Sequence, residues 1–208
     1  MRIHMRSDKR RRGQKGTEIV EFALVMLFLI PILYGTFVVG LNLRRSIQVT
    51  QVSRDTGHMY ARSVDFSDSA NQNIVVRLAQ GLNITATGGS GVVILSTIEF
   101  IGQAQCTAAG LSSSGCTNLN QPVITQRIVI GNSAARTSAF GSPSAGLIDS
   151  SGNVANCMTN STAVAQGFSS VLALTAGQIA YVSEVYVPST NYAMPGYQST
   201  GVYCRTIF

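Results

Sequence analysis

From Phe22 to Leu43 the chain reads FALVMLFLIPILYGTFVVGLNL, 22 residues without a charge. At about 1.5 Å per residue this is roughly 33 Å of helix, against a hydrocarbon core about 30 Å thick. Such a segment has to be buried, and the rest of the chain is arranged around that need. A cleavable secretory signal is the competing reading, but its apolar region runs about 7–15 residues and ends at a small-residue cleavage site. The run here is longer and no such site follows it. The sequence therefore predicts a retained transmembrane helix. Pro31 falls in mid-run, where loss of one backbone hydrogen bond predicts a kink that membrane helices tolerate.

Charge gives the span a direction. The chain has 208 residues, with 15 Lys+Arg against 9 Asp+Glu and a net charge of +6. Seven of those basic residues and the single acid Asp8 lie in residues 1–16, so this segment carries the whole surplus and the remainder is neutral. Phosphate contacts need clustered Lys and Arg, so the body predicts no nucleic-acid partner. After the span come Arg44, Arg45, Arg54 and Arg62. The positive-inside rule then places the N-terminus in the cytoplasm and everything after residue 45 outside.

Glu18 and Glu21 stand at the start of the span. A carboxylate at the membrane boundary is costly and by default marks a function with a partner to be found. The plainer reading is that both are hydrated in the headgroup layer and mark the helix start. Physics alone leaves the two open.

The residues around them carry a resemblance. The stretch Lys15-Gly16-Thr17-Glu18-Ile19-Val20-Glu21-Phe22-Ala23-Leu24-Val25 looks like the prepilin-type signal: a basic leader, a glycine, a glutamate five residues later, then an unbroken apolar helix. More narrowly, Gly16 to about Arg62 resembles the TadE-like family of minor pilins or pseudopilins of the bacterial tight-adherence (Flp-type) pilus system. The Arg- and Gln-rich stretch Leu43-Arg44-Arg45-Ser46-Ile47-Gln48-Val49-Thr50-Gln51, followed by Ala61-Arg62, is similar to the juxtamembrane helix of that family. Such helices often carry a proline a few residues after the glutamate; here Leu27 stands near that place and Pro31 comes later. The resemblance covers about a quarter of the chain.

The resemblance implies a mechanism. A prepilin peptidase on the cytoplasmic side would cut after Gly16 and expose Thr17 as a new amino terminus. Glu21, with Phe22 beside it, would pair with the Thr17 amine of a neighbouring subunit as helices bundle. Pairing matters because a lone ion in hydrocarbon costs several kcal/mol, which an opposite charge in contact offsets in large part.

Beyond the span, Arg44 to Val64 reads as a continued amphipathic stalk with Val49, Val52, Thr56 and Met59 or Tyr60 at helical spacing, and Gly57 as a weak point. Asp68 or Ser69 caps a second short helix with Ile74, Val75, Leu78 and Leu82 on one side. After Thr87-Gly88-Gly89-Ser90-Gly91 the period changes from helical to two. Apolar β-branched runs at Val92 to Ile101, Val123 to Ile130, Gln178 to Val187 and Val202 to Phe208 predict four strands. A long helix followed by four strands predicts an α+β fold, with an extracytoplasmic, pilin-like head built on a mainly antiparallel sheet. The Ser/Thr/Gly/Asn-rich stretches 103–121 and 132–170 read as long surface loops. The expected divisions are a basic leader 1–16, a transmembrane helix 17–45, a stalk 46–64 and a head 65–208.

Four cysteines, Cys106, Cys116, Cys157 and Cys204, all fall on the side predicted to be outside, where an even count favours disulfides. Their spacings give no zinc pattern. Of the three connectivities, the expected one pairs Cys106 with Cys116 and Cys157 with Cys204.

Catalysis or metal binding needs clustered His, Cys, Asp or Glu, and the supply is thin. His58 stands alone on the stalk, and His4 lies in the leader. Glu99 and Glu184 fall in predicted strands, as edge or solvent-face residues. Thr87 to Gly91 lacks the Lys-Ser/Thr that a phosphate loop requires. Asp65-Phe66-Ser67-Asp68-Ser69 fits D-x-S-x-S, the adhesion-site metal signature of von Willebrand A domains, but it follows a polar helical stretch rather than a buried strand, and a helix cap accounts for it better. The sequence thus predicts no enzyme, no metal, no cofactor and no small-molecule substrate.

The reading is a single-pass protein of the bacterial inner membrane, N-terminus cytoplasmic and head periplasmic or extracellular, serving pilus assembly as a structural subunit. Its expected partners are the bilayer, the prepilin peptidase, and other pilins and secretion-apparatus proteins. Two rivals stand beside it: an uncleaved envelope scaffold of the secretion apparatus, and an anchored adhesin whose loops bind a surface target.

Overall fold

Helix α1 runs unbroken from Gln14 to Ala61 and passes through residues 45 and 46 without interruption. It is followed by α2 (Ser69–Leu78), β1 (Val92–Phe100), α3 (Gln103–Ala108), β2 (Pro122–Gly131), β3 (Ile179–Val187) and β4 (Val202–Ile207), with three short 3-10 turns between β2 and β3. The structure is a computed structural model and describes residues 14–188 and 201–208, with side chains from Gly16 onward. Most of the expected basic leader, including His4, lies outside the described residues.

The two halves of α1 differ in what surrounds them. Up to about residue 43 most of the large apolar side chains are open, Phe22, Leu27, Phe28 and Ile32 each more than half exposed. From Val49 onward one stripe is buried: Val49, Val52, Ser53, Thr56, Gly57 and Tyr60, the three- and four-residue spacing of a single helix face. That stripe packs on β3 and β4. The expected stalk is therefore a core element of the head.

The four strands form one antiparallel sheet in the order β2-β1-β3-β4. Because side chains alternate across a strand, the sheet presents two faces. Val93, Leu95, Ile128, Ile130, Val185 and Val187 meet α1 and α2, joined by Phe66, Val75 and Leu82. Ile98, Ile124, Ala180 and Val182 point the other way, onto Phe140, Ala163, Ala165 and Phe168. The segment 132–170 is thus a cover for the second face rather than the expected surface loop. Its few anchors are spread among small polar residues, which hid the packing. A sheet covered on both sides explains why β1 is buried without alternation from Val92 to Ser96. The stretch 103–121 is likewise not a plain loop, since it holds α3 and the buried Cys106 and Cys116.

Helix α2 begins where its cap demands. The Asp68 carboxylate accepts the Ala70 N–H at 2.9 Å, and Asp65 Oδ1 accepts from the backbone and hydroxyl of Ser67. The D-x-S-x-S residues are spent on this local capping. Val75 and Leu82 are buried as expected of the apolar side, whereas Ile74 and Leu78 remain 42% and 37% exposed.

Gly57, the weak point of the helical pattern, is where α1 comes closest to the sheet. A Cβ there would lie 2.3 Å from the Phe208 ring and 3.1 Å from Ser183 Cβ. A Gly57→Val substitution adds bulk to this contact and is expected to lower stability by about 1–3 kcal/mol, the usual cost of overpacking. Denaturant unfolding of the detergent-solubilised protein checks it.

Candidate functional site

The residues singled out at the N-terminus lie along one exposed helical surface. Gly16 and Thr17 fall in the first turns of α1, and Thr17, Glu18, Glu21 and Phe22 are all exposed. Glu18 and Glu21, three residues apart, share a face. Pro31 lies inside the helix, and five residues on, the Thr36 hydroxyl donates to the Leu33 carbonyl at 2.9 Å. The helix meets the length and hydropathy of a membrane span, with a mean hydropathy of 2.5 over its most apolar window. It is therefore fit for single-pass anchoring.

The other end of the same helix is fastened by polar contacts between small side chains. Ser53 donates to the Ser183 carbonyl at 3.2 Å and lies 3.0 Å from the Thr206 hydroxyl. The exposed His58 stacks against Phe208, ring centres 4.4 Å apart. Tyr60 closes the helix: its hydroxyl bonds Thr97 at 2.7 Å and the Gln126 side chain at 2.9 Å. Burial pushes the Tyr60 phenol up to about 12, against a smaller downward pull from Thr97.

The second face of the sheet is tied down by Glu184. The sequence places Glu99 and Glu184 at an edge or on a solvent face; both instead lie on the central strands β1 and β3, where Glu99 stays partly exposed and Glu184 is 1% exposed. Its carboxylate accepts from the Ser138 hydroxyl, from the Ala139 N–H at 2.9 Å and from the Tyr203 hydroxyl at 2.5 Å. Ser138 and Ala139 belong to the covering segment, so the acid clamps cover to sheet. Nearby Arg127 donates to the Gly141 carbonyl at 2.9 Å, while Arg136 and Arg205 lie over the rings of Tyr203 and Phe140 at 4.1 and 4.6 Å. Burial pulls the Arg127 guanidinium below its ordinary range, partly offset by the charge of Glu184. Burial also raises the Tyr203 phenol, reinforced by its bond to Glu184. The signal for this site was present in the strand itself: apolar residues at both parities around Glu184 mean that both faces are covered.

Cys106 and Cys116 form a disulfide, closing a loop with a sequence separation of 10 that constrains the unfolded chain by about 3 kcal/mol. Cys157 and Cys204 are free thiols, contrary to the expected second bridge. The reason is position. Cys204 sits opposite Val185 in β4 and packs on the α1-side core, whereas Cys157 packs on the opposite core. The sheet separates them. Burial, with the charge of Glu99, holds the Cys157 thiol above its ordinary range.

What this arrangement can do is hold an apolar helix rigidly on a cross-braced head. Among the described residues no group of three or more His, Cys, Asp or Glu could hold a metal ion.

Residues 16–58 match the TadE-like protein family model. The match opens at Gly16, covers the whole apolar run and ends in the buried stripe that docks α1 onto the sheet. It bears out the resemblance read from the sequence and associates the chain with the Tad pilus, of which TadE-like proteins are structural components. The sheet and its cover lie outside the matched residues. No curated protein and no solved structure gives a significant match.

Tyr60 yields a test of how the TadE-like helix is fastened. A phenol whose pKa is higher in the folded protein holds its proton more tightly there. Its contribution is complete below about pH 10 and is lost as the pH climbs toward 12, at up to about 1.4 kcal/mol per pH unit. Tyr60→Phe is expected to flatten this alkaline loss, measured by denaturant unfolding of the detergent-solubilised protein between pH 9 and 11.5. Parallel losses in parent and variant would show that Tyr60 does not titrate as described.

Proposed function

We propose that this chain is a minor pilin or pseudopilin of a tight-adherence (Flp-type) pilus, a structural subunit anchored in the bacterial inner membrane with its N-terminus in the cytoplasm. The observation that carries the reading is the TadE-like match lying on one continuous helix, exposed and apolar in its first half and built into the head in its second. A helix of this kind gives a subunit both a membrane-resident form and a surface on which to bundle with other helices.

Processing follows from the same reading. A prepilin peptidase cuts between Gly16 and Thr17 and removes a segment that carries the whole net charge of the chain. Among the described residues a Cβ at Gly16 would meet nothing within 4 Å, which leaves the position open to a second protein. Glu21 then pairs with the Thr17 amine of a neighbour, Phe22 packs beside it, and Pro31 bends the span. Other pilins and the secretion apparatus are the partners.

N-terminal sequencing of the protein from native membranes and from sheared surface material is expected to give a start at Thr17. An intact Met1 terminus would instead make the chain a fixed anchor of the apparatus. Substitution separates the two acids: Glu21→Ala is expected to abolish incorporation into surface material while leaving membrane insertion intact, and Glu18→Ala to have little effect. Equal behaviour of the two variants in a shear assay would remove the pairing role from Glu21.

A further inference from the structure

Where the apolar run ends, the helix and the head form a groove of about 880 Å³. Its α1 wall is Leu43, Arg44, Arg45 and Ile47, and its other wall is the turn that follows α2, from Leu78 through Gly81 to Asn83. Gln48 fixes the two walls together by donating to the Gln80 carbonyl at 2.7 Å. Among the described residues no acidic residue lines the groove, whereas Arg44 and Arg45 both do. Arg44 is exposed and Arg45 half-buried.

Position decides what such a groove meets. Gln48 lies five residues beyond Leu43, roughly 7.5 Å along the helix axis. The headgroup layer extends about 5–7.5 Å past the hydrocarbon on each side. The turn bonded to Gln48 is therefore level with phospholipid headgroups. Leu43, Ile47 and Leu78 are open on the same side, each more than a third exposed, as is Ile74 one turn back along α2.

We infer that this groove binds one anionic phospholipid of the leaflet on the head's side. Its phosphodiester lies between Arg44 and Arg45, where guanidinium forks match phosphate oxygens, and its acyl chains run back toward the hydrocarbon along Leu41 and Leu43. The site seats the head on the membrane and holds α2 against the bilayer surface. The inference rests on the reading of α1 as a membrane span.

The test uses the full chain in bilayer discs made from equal parts phosphatidylglycerol and phosphatidylcholine, released into the gas phase for native mass spectrometry. The parent is expected to retain one phosphatidylglycerol per chain. R44Q/R45Q is expected to bind it about thirtyfold more weakly, the effect of removing two basic side chains from an anionic surface. R54Q/R62Q, which removes the same charge farther from the span, on α1 and just past its end, is expected to retain it as the parent does. Equal retention of both lipids, or loss of selectivity in R54Q/R62Q to the same degree, would overturn the site. So would a dimer that disappears in R44Q/R45Q, because a second copy would then occupy the groove. Alkaline carbonate extraction of native membranes separates this from the span itself: release of the parent into the soluble fraction sinks the reading of α1, whereas retention without lipid selectivity sinks only the headgroup site.

Discussion

One helix has to satisfy two solvents, and the rest of the molecule follows from that. From Phe22 to Leu43 α1 is uncharged and apolar nearly all round, which water does not tolerate and lipid or a helix bundle does. From Val49 onward one stripe, running to Tyr60, is buried on β3 and β4. No hinge separates the halves, because the backbone is helical throughout. The head therefore cannot move without its anchor. Small residues make this possible. Ser53, Thr56 and Gly57 let the helix axis approach the sheet closely enough for a serine hydroxyl to reach a strand carbonyl. A larger residue at any of them would lift the helix and open the joint that Tyr60 closes.

A joint of that kind is only as firm as the sheet beneath it. Strands β1 and β3 are central, and each has a core on both sides. The second core is assembled from a segment with little regular structure, so its order depends on specific anchors rather than on repeating hydrogen bonds. Glu184 supplies the polar anchor, Phe140 and Phe168 the apolar ones, their rings 5.0 Å apart and edge to face. An acid buried this deeply is tolerable because three donors meet it and arginines lie close by; removing its partners would leave an uncompensated group. The Cys106–Cys116 bridge acts on the same side, where secondary structure is sparsest.

Much of this was legible in the residues because the relevant signals are local. The uncharged run from Phe22 to Leu43, the cap at Asp68 and the four β-branched stretches each depend on neighbours in sequence, and the strands lie within a residue or two of where the period changed. What escaped was whatever depended on the third dimension. Glu184 looked like a solvent-face acid because strand order is not written in a strand. Cys157 and Cys204 looked like partners because an even count invites pairing, yet they pack on opposite sides of the sheet. Gly57 looked like a flaw in a helix because the Phe208 ring that fills its place is more than a hundred residues away. The TadE-like stretch was legible for a different reason: its pattern matches a family model rather than a feature of this fold.

The exposed half of α1 also limits where the chain can go. Its apolar surface cannot be left in water, so leaving the bilayer requires another burial site of similar area, which only neighbouring helices can supply. On the proposed reading, the surplus positive charge ahead of the span opposes outward movement until the leader is cut, because that charge would have to cross the hydrocarbon. On that reading the new Thr17 amine and Glu21 would be opposite charges, to be neutralised together in a neighbour's company. The leader would then be a lock on position, and the carboxylate a condition on where the helix can go next. The head, rigidly joined through Val49 to Tyr60, follows whichever burial site the helix takes.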